Sequence, residues 1–267
     1  MFQSREGVDR PVVPMIILKS HQEIEKIRKA CLVVADVLDS IGELIRPGTN
    51  TQKLDEFAEK MILSSGARPA FKGYRGYPKT VCTSLNNQVV HGIPSKDVVL
   101  NEGDIISIDV GAIVEGFYGD AARTYPVGRI LPDTERLIKV TEEALSRGIS
   151  QARPGSRLYD ISAAVQHHVE SHGYSVVREF VGHGIGRNMH EDPQIPNFGE
   201  RGQGPRIKPG MVLAIEPMVN RGASGTFVLE DGWTAVTADG SLSAHFEHTV
   251  AVTSDGPWIL TQKEARQ

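Results

Sequence analysis

The same order of motifs occurs twice along the chain, and this internal repeat constrains the fold more than any other feature of the sequence. Arg-Pro-Gly-Thr at 46–49 separates two predicted helices, and Arg-Pro-Gly-Ser at 153–156 separates two more, because proline and glycine end helices. Residues 101–109 and 208–216 each contain a turn glycine, an apolar run and an acid six positions after the glycine. The repeat predicts two related α+β halves packed together, with one layer of sheet and one layer of helices.

Helical spacing of apolar residues places two helices in each half. Ser20 and Glu23 form a capping box that begins the first helix. The first predicted helix begins at Ser20 and ends before Arg46, and the second runs from Thr49 or Thr51 to about Gly66. The third covers 134–152, and the fourth runs from a cap at Ser156 to Gly173. Strands are predicted over 15–18, 98–110 and 117–130. The predicted organisation is an N-terminal extension over 1–19, with 1–14 as a loose leader, and a single domain over 20–267, its halves at about 20–130 and 131–255.

Two acids occupy matching positions in the repeat. Asp109 and Glu216 each stand at the end of an apolar strand, where a buried carboxylate needs a partner. If a pseudo-twofold axis relates the halves, these two carboxylates meet near that axis. Asp120 follows across the turn at 115–116, as the returning strand of a hairpin would, and Glu247 lies in a later segment of strand-like alternation.

Four converging carboxylates repel one another and raise one another's pKa values unless a cation neutralises them. Oxygen-rich ligation with one or two imidazoles suits Mn, Fe(II), Co or catalytic Zn, and two ions about 3.5–4 Å apart can activate a bridging water. His183 lies in the glycine-lined segment 182–186, where the backbone can approach a metal closely. The acids and this imidazole together predict a metal centre.

Each of these residues has a plainer interpretation when it is taken alone. A histidine between glycines is more often structural than a ligand, and Asp109 alone would more often be a cap or turn acid. His245 and His248 flank Glu247 and lie either near the site or on the sheet surface. Three histidines on a helix are expected to face solvent: His167, His168 and His172. The conjunction of acids and imidazole, rather than any one residue, favours the metal centre.

Composition and charge argue against several other classes of protein. The net charge is −4 and no long cluster of Lys or Arg occurs, so no nucleic-acid surface is expected. Cys31 and Cys82 are too few for a disulfide scaffold, and no apolar stretch approaches the roughly 20 residues of a membrane helix. Without a targeting signal, a coiled coil or an apolar interface stripe, the sequence predicts a cytoplasmic monomer.

Seven motifs resemble those of the type I methionine aminopeptidases, over nearly all of the chain from about Ser20 to Val252. They are Gly73-Tyr74-Arg75-Gly76-Tyr77-Pro78, Asn86-Asn87-Gln88-Val89-Val90-His91-Gly92-Ile93-Pro94, Ile108-Asp109-Val110-Gly111, Gly119-Asp120, Gly182-His183-Gly184-Ile185-Gly186, Ile215-Glu216-Pro217 and Glu247-His248-Thr249. The resemblance implies the pita-bread fold, an α+β fold with two pseudo-symmetric halves and a curved antiparallel sheet covered by helices. This expectation agrees with the internal repeat.

The resemblance also implies a reaction, cofactors and partners. Members of this family remove the initiator methionine from nascent polypeptides when the second residue is small, with a water activated by two divalent ions. The expected ions are Co, Mn, Fe(II) or Zn. The expected partners are nascent N-termini and, transiently, the ribosome, with neither a membrane nor nucleic acid.

A role for each predicted site residue follows from the same resemblance. The implied metal ligands are Asp109 on one ion, His183 and Glu216 on the other, and Asp120 and Glu247 bridging the two. Glu216 would also take the proton from the attacking water. His91 would stabilise the developing charge or hold the leaving amide nitrogen, and His190 would polarise the substrate carbonyl.

A narrow apolar pocket is implied for the substrate, because the methionine side chain is unbranched and apolar. The implied lining residues are Tyr74, Tyr77, Cys82, Trp233, Phe71 and Met189. Phe71 stands where a small residue is common in the family, and Met189 stands where an aromatic is common. These departures concern the shape of the pocket and leave the expected reaction unchanged.

Two other functions stay open on the sequence alone. A prolidase or aminopeptidase P would share the metal ligands, but such relatives carry an additional N-terminal domain, for which we expect no room before Ser20. A non-catalytic pita-bread module that binds protein or RNA would typically have lost metal ligands. All five ligands, together with His91 and His190, are present in this chain.

Overall fold

Four α-helices and fifteen strands make up residues 15–263, the part of the chain that the computed structural model describes; the predicted loose leader over 1–14 lies outside it. The helices are α1 (His21–Ile41), α2 (Thr51–Ser64), α3 (Pro132–Gln151) and α4 (Leu158–Ser171), with short 3₁₀ helices at Gly42–Leu44 and Tyr74–Gly76. The strands of the first half are β1 (Arg68–Pro69), β2 (Val81–Leu85), β3 (Gln88–Val90), β4 (Ile105–Val114) and β5 (Phe117–Pro126). The strands of the second half are β6 (Ser175–Val176), β7 (Gly182–Gly184), β8 (Glu191–Ile195), β9 (Val212–Ile215), β10 (Met218–Asn220), β11 (Thr226–Val228), β12 (Ala235–Thr237), β13 (Ser243–His245), β14 (His248–Thr253) and β15 (Gly256–Ile259).

The four predicted helices are present, with differences at their first residues. The Ser20 hydroxyl accepts the Glu23 N–H and the Glu23 carboxylate accepts the Ser20 N–H, so the predicted capping box begins α1. α2 begins at Thr51, one of the two predicted starts, and Asn50 caps it because the Asn50 side chain accepts the Lys53 N–H. Arg157, rather than Ser156, occupies the position before α4.

Equivalent apolar contacts join the helices to the strands in each half. Val37 and Leu54 of the first helix pair are buried in one cluster with Ile108 of β4. Leu145 and Ile161 of the second pair are buried in another cluster with Leu213 of β9. Burial of such side chains is worth about 1.5–3 kcal/mol each, so both helix pairs are held on the sheet by their apolar stripes. Among residues 15–263, no helix combines the length and apolar composition needed to cross a membrane.

The strands pair antiparallel throughout and form four sheets, in the orders β1-β4-β2 with β5 on β4, β13-β10-β6, β11-β12-β3, and β15-β14-β9-β7-β8. Hydrogen bonds between β5 and the segment around β14 join the two halves. The Glu247 N–H donates to the Ala122 carbonyl at 2.9 Å. The Thr249 hydroxyl donates to the Asp120 carbonyl at 2.7 Å and accepts the Asp120 N–H. β5 and β14, which pair with β4 and β9 within their own halves, therefore lie against each other at the interface of the halves.

Residues 15–20 adopt no regular structure, so the predicted edge strand over 15–18 is wrong. The backbone partner of this segment is a turn and not a strand, since the Lys19 N–H donates to the Gly210 carbonyl at 2.7 Å. The Lys19 Nζ lies 2.6 Å from Glu191 Oε2, and the two side chains are 4% and 5% exposed. This buried ion pair fixes the segment to the first residue of β8. The division into an extension over 1–19 and a single domain over 20–267 stays a prediction.

We expect Lys19→Met to lower the free energy of unfolding by about 3–5 kcal/mol, because it leaves the Glu191 carboxylate buried without its partner. Urea unfolding of the metal-free protein measures this loss. Lys72→Met is the matched control, since Lys72 also lies 2.6 Å from a carboxylate, that of Glu59, but is 50% exposed. The control should lose no more than about 1 kcal/mol. Equal losses in the two variants would contradict the expectation.

Candidate metal centre and substrate pocket

Asp109 and Asp120 lie on the two strands of one hairpin. Gly111 is the Cα partner of Asp120 in the β4–β5 ladder, so the two aspartates are diagonal neighbours on the same face of the sheet. The hairpin turns at residues 115–116, as predicted. Asp109 is not at the end of its strand, however, because pairing with β5 continues to Val114. Asp109 and Asp120 nevertheless lie in the same pocket, as the predicted cluster of acids requires.

Glu216 and Glu247 reach the same point from the second half. Glu216 directly follows β9, as the repeat predicts. Glu247 does not lie within a continuous strand, because the predicted strand is divided into β13 and β14 with residues 246–247 between them. The chain leaves the β13 ladder here because the Glu247 N–H pairs with the Ala122 carbonyl of the other half. The junction of the halves therefore sets the position of this carboxylate.

His183 lies on β7 with its Nε2 directed at the carboxylates. Its Nδ1 is 2.9 Å from the Gly184 carbonyl, and since a carbonyl oxygen can only accept, Nδ1 carries the proton. The Nε2 lone pair then faces Asp120 Oδ2 at 3.8 Å and Glu216 Oε1 at 3.5 Å. Burial lowers the pKa of His183 to about 3. The imidazole is therefore neutral at neutral pH, as a metal ligand requires.

The carboxylates lie in an environment that disfavours their charge. Burial is the largest cause that raises the pKa of Asp109, Asp120, Glu216 and Glu247, and for the last three neighbouring carboxylates raise it further. Three buried acceptor atoms have no hydrogen-bond partner among the described residues: Asp109 Oδ1, Asp120 Oδ1 and Glu247 Oε1. Ligand atoms of Asp120, His183 and Glu247 all lie within 4.8 Å of one another. Unpaired carboxylate oxygens close to one another, together with one neutral imidazole, are a set of ligand atoms that fits divalent cations.

One pocket opens onto these ligands. Its lining consists of Phe71, Tyr74, Arg75, Tyr77, Cys82, His91, Asp109, Asp120, His183, Met189, His190, Glu216, Trp233 and Glu247. Every residue predicted for the metal, for catalysis or for the methionine side chain is in this lining, and Arg75 is added to them. The structure thus brings together residues from both halves of the chain, while their individual roles stay predictions.

Apolar and aromatic side chains form the wall opposite the acids. Tyr77 and Trp233 meet edge to face with ring centroids 5.1 Å apart. A Cβ atom on Gly111 would lie 2.6 Å from the Phe71 ring and 2.9 Å from the end of Met189. Glycine at position 111 therefore lets the two residues that depart from the family pattern pack over β4. The resulting space is bounded by rings and a thioether, which suits an unbranched apolar side chain.

Two neutral histidines flank the ligands. His190 Nδ1 lies 2.8 Å from the Tyr74 hydroxyl, and its ring centroid is 4.3 Å from that of His183. Burial lowers the pKa of His190, and burial together with the charge of His190 lowers that of His91 to about 4. His91 has a φ of +61°, a conformation that is uncommon for residues other than glycine. Strained backbone of this kind is often found at functional sites.

The structure adds one unpredicted arginine to the site, decides between two alternatives for one histidine and corrects the position of another. Arg75, which was not predicted, has a φ of +49° and places its guanidinium 5.4 Å from the Tyr74 ring centroid. His245 is buried, with Nε2 3.7 Å from Glu216 Oε2, so it lies near the site rather than on the surface. His168 is also buried, against Glu143, and the expectation that it faces solvent is wrong. Backbone strain and burial decide these positions, and neither is visible in a local sequence pattern.

The fold and the site define a class of protein, and comparison with known proteins agrees with them. The sequence pattern described as Metallopeptidase family M24 matches residues 25–254. A chain with this match, with the five predicted ligands lining one pocket of an α+β framework, belongs to metallopeptidase family M24.

Within that family, the chain is similar to methionine aminopeptidases. The methionine aminopeptidase of Clostridium perfringens is 53% identical over 92% of this chain and 99% of its own length, and methionine aminopeptidase 1 of Bacillus subtilis is 52% identical over 93% and 100%. The crystal structure of the Rickettsia prowazekii methionine aminopeptidase superposes with a TM-score of 0.91 at 45% identity, over 93% of this chain and 100% of that chain. A Pyrococcus furiosus prolidase reaches a TM-score of 0.76 at 26% identity, over 93% of this chain and 66% of that chain. The chain therefore belongs with the methionine aminopeptidases and has the pita-bread fold that the sequence predicts.

Proposed function

We propose that this protein removes an N-terminal methionine from nascent polypeptides when the second residue is small, with two divalent ions bound by Asp109, Asp120, His183, Glu216 and Glu247. The observation that carries the proposal is a pocket in which unpaired carboxylate oxygens adjoin apolar and aromatic side chains. The acids suit hard or borderline cations such as Mn, Fe(II), Co or Zn. Ions held there would lower the pKa of a water molecule enough to supply hydroxide as the nucleophile for a peptide carbonyl at neutral pH.

The side chains around this centre bind the substrate and move its protons. Glu216 accepts the proton of the attacking water and returns it to the departing amine, a role that its place in the pocket beside the other acids allows. When His190 Nδ1 accepts the Tyr74 hydroxyl proton, Nε2 carries a proton that it donates to the substrate carbonyl. His91, in the lining of the same pocket, stabilises the developing charge or holds the leaving amide nitrogen.

The cellular setting is part of the proposal. We place the protein in the cytoplasm as a monomer that meets nascent chains transiently at the ribosome. Family membership supports this setting, because an initiator methionine first becomes accessible on a nascent chain. The net charge of −4 supports a surface without a general affinity for nucleic acid.

Hydrolysis of Met-Ala-Ser in the presence of Mn, Fe(II) or Co tests the activity directly. We expect release of free methionine, its loss with a chelator, and little cleavage of an Ala-Pro peptide under the same conditions. No methionine release with any of these ions would overturn the proposal. Preferential cleavage before proline would instead favour the prolidase-like alternative, and metal binding without cleavage of either peptide would favour a binding module.

Gly111→Ala is expected to lower kcat/KM for Met-Ala-Ser by about 10-fold or more, because a methyl group added to an apolar pocket has an effect of that size. The new methyl displaces Phe71 and Met189, and the loss should appear mainly in KM. Steady-state kinetics on the metal-loaded enzyme measure it. Gly225→Ala is the control, because the nearest atom to a Cβ there lies at an ordinary 3.6 Å. A wild-type KM in Gly111→Ala would show that this wall does not contact the substrate.

A further inference from the structure

A buried histidine outside the predicted ligand set faces the carboxylate of Glu216. His245, the last residue of β13, is 2% exposed, and its Nε2 has no hydrogen-bond partner among the described residues. A buried polar atom without a partner destabilises the folded state, so its retention calls for a reason. Glu216 Oε2 lies 3.7 Å from this nitrogen.

The Glu216 carboxylate lies between two imidazoles that differ in what they can donate. Its Oε1 is 3.5 Å from His183 Nε2, which carries no proton because Nδ1 of that ring donates to the Gly184 carbonyl. Its Oε2 is 3.7 Å from His245 Nε2. Of the two rings, only His245 can donate a hydrogen bond to this carboxylate while both are neutral. An N–H···O hydrogen bond of about 3 Å needs a movement of a fraction of an ångström.

We propose that His245 is a positioning residue whose Nε2–H binds Glu216 Oε2 and thereby directs Oε1 toward the metal centre. The inference rests on the metal centre of the proposed function. It explains the unpaired Nε2 and gives the proton-shuttling carboxylate a fixed orientation. Hydrogen bonds of this kind to a ligating carboxylate typically change metal affinity or activity by about 10–100-fold when they are removed.

The backbone holds His245 in place independently of any ligand. Its N–H donates to the Thr124 hydroxyl, and that hydroxyl donates to its carbonyl, each at 2.9 Å. In the β10–β13 ladder it is paired with Met218, two residues beyond Glu216. The ring therefore has a rigid base on the same sheet region as the carboxylate it faces, as an orienting group requires.

Metal titration of the apoprotein by calorimetry, with Mn²⁺ as the probe, tests the inference. His245→Leu should weaken Mn²⁺ binding by about 10–100-fold and lower kcat for Met-Ala-Ser with little change in KM. His245→Gln, whose amide can still donate, should recover most of both losses. His168→Leu is the matched control, since His168 is likewise buried but contacts Glu143 on the helix layer. The control should bind Mn²⁺ with wild-type affinity.

Wild-type Mn²⁺ affinity and kcat in His245→Leu would overturn the inference. If that variant does not fold, the pair His245→Gln and His245→Asn decides, because asparagine carries the same amide on a side chain too short to reach Glu216. Tighter Mn²⁺ binding by the glutamine variant supports the inference, and equal binding overturns it. A wild-type protein that releases no methionine would overturn the proposed function alone, because the difference in Mn²⁺ affinity does not depend on turnover.

Discussion

Glu216→Gln is expected to lower kcat for Met-Ala-Ser by about 10²–10⁴-fold, the range for the loss of a positioned general base. The amide oxygen that replaces the carboxylate is a far weaker proton acceptor, and it brings no negative charge to the metal centre. Single-turnover and steady-state measurements at saturating metal separate the loss of the proton acceptor from the loss of metal binding. If weakened metal binding alone were responsible, higher Mn²⁺ concentrations would restore kcat.

The same substitution should leave the fold intact. Glu216 is one of several buried carboxylates whose charges raise the pKa of their neighbours, so its removal relieves repulsion in the metal-free protein. We expect the metal-free variant to melt at or above the wild-type temperature. Glu200→Gln, which alters an exposed acid outside the pocket, is the control and should leave both kcat and melting temperature unchanged. A kcat within tenfold of wild type in Glu216→Gln would mean that another group takes the proton.

The convergence of the acids could be predicted because the repeat carries it. Asp109 and Glu216 follow equivalent turn glycines, so any arrangement that packs the halves symmetrically brings their strands together. What the repeat could not predict is where each strand ends. Strand length depends on the partner strand. Asp109 is paired with β5 across a hairpin, and Glu247 bonds to β5 across the junction between the halves.

The methionine pocket shows a different limit of sequence reasoning. Phe71, Met189 and Trp233 are distant in sequence and have no common local pattern, and only the family resemblance placed them together. Arg75 and His245 escaped assignment because their significance depends on a positive φ and on a buried atom without a partner. Such properties arise from packing between elements, which no window of the sequence contains.

Metal removal should abolish methionine release and make the stability of the protein fall as the pH rises above neutrality. The folded state raises the pKa of Asp109, Asp120, Glu216 and Glu247 above the value near 4 of an unfolded acid. A raised carboxyl pKa contributes stability that is fully present below the unfolded pKa and is lost as the pH rises through the folded pKa. The buried histidines act in the opposite direction. The pKa of His183 is lowered to about 3, so its contribution is complete above about pH 6.5 and is lost only as the pH falls.

Below about pH 6.5 the carboxylates and the buried histidines change the stability in opposite directions. Between pH 7 and 8.5 only the loss of stability from the carboxylates remains. We therefore expect the melting temperature of the chelated protein to fall across that interval, while Mn²⁺-loaded protein changes less, because bound cations favour the ionised carboxylates. At a metal concentration 100 times Kd, the stability added by the metal is about 2.7 kcal/mol. At a constant metal concentration this added stability should grow with pH, because metal binding releases protons and Kd therefore falls as the pH rises. Differential scanning calorimetry at matched pH values measures both quantities, with Glu216→Gln as a variant that should show a shallower fall. A chelated protein as stable at pH 8.5 as at pH 7, with metal stabilisation independent of pH, would mean that these carboxylates are paired by something other than a metal.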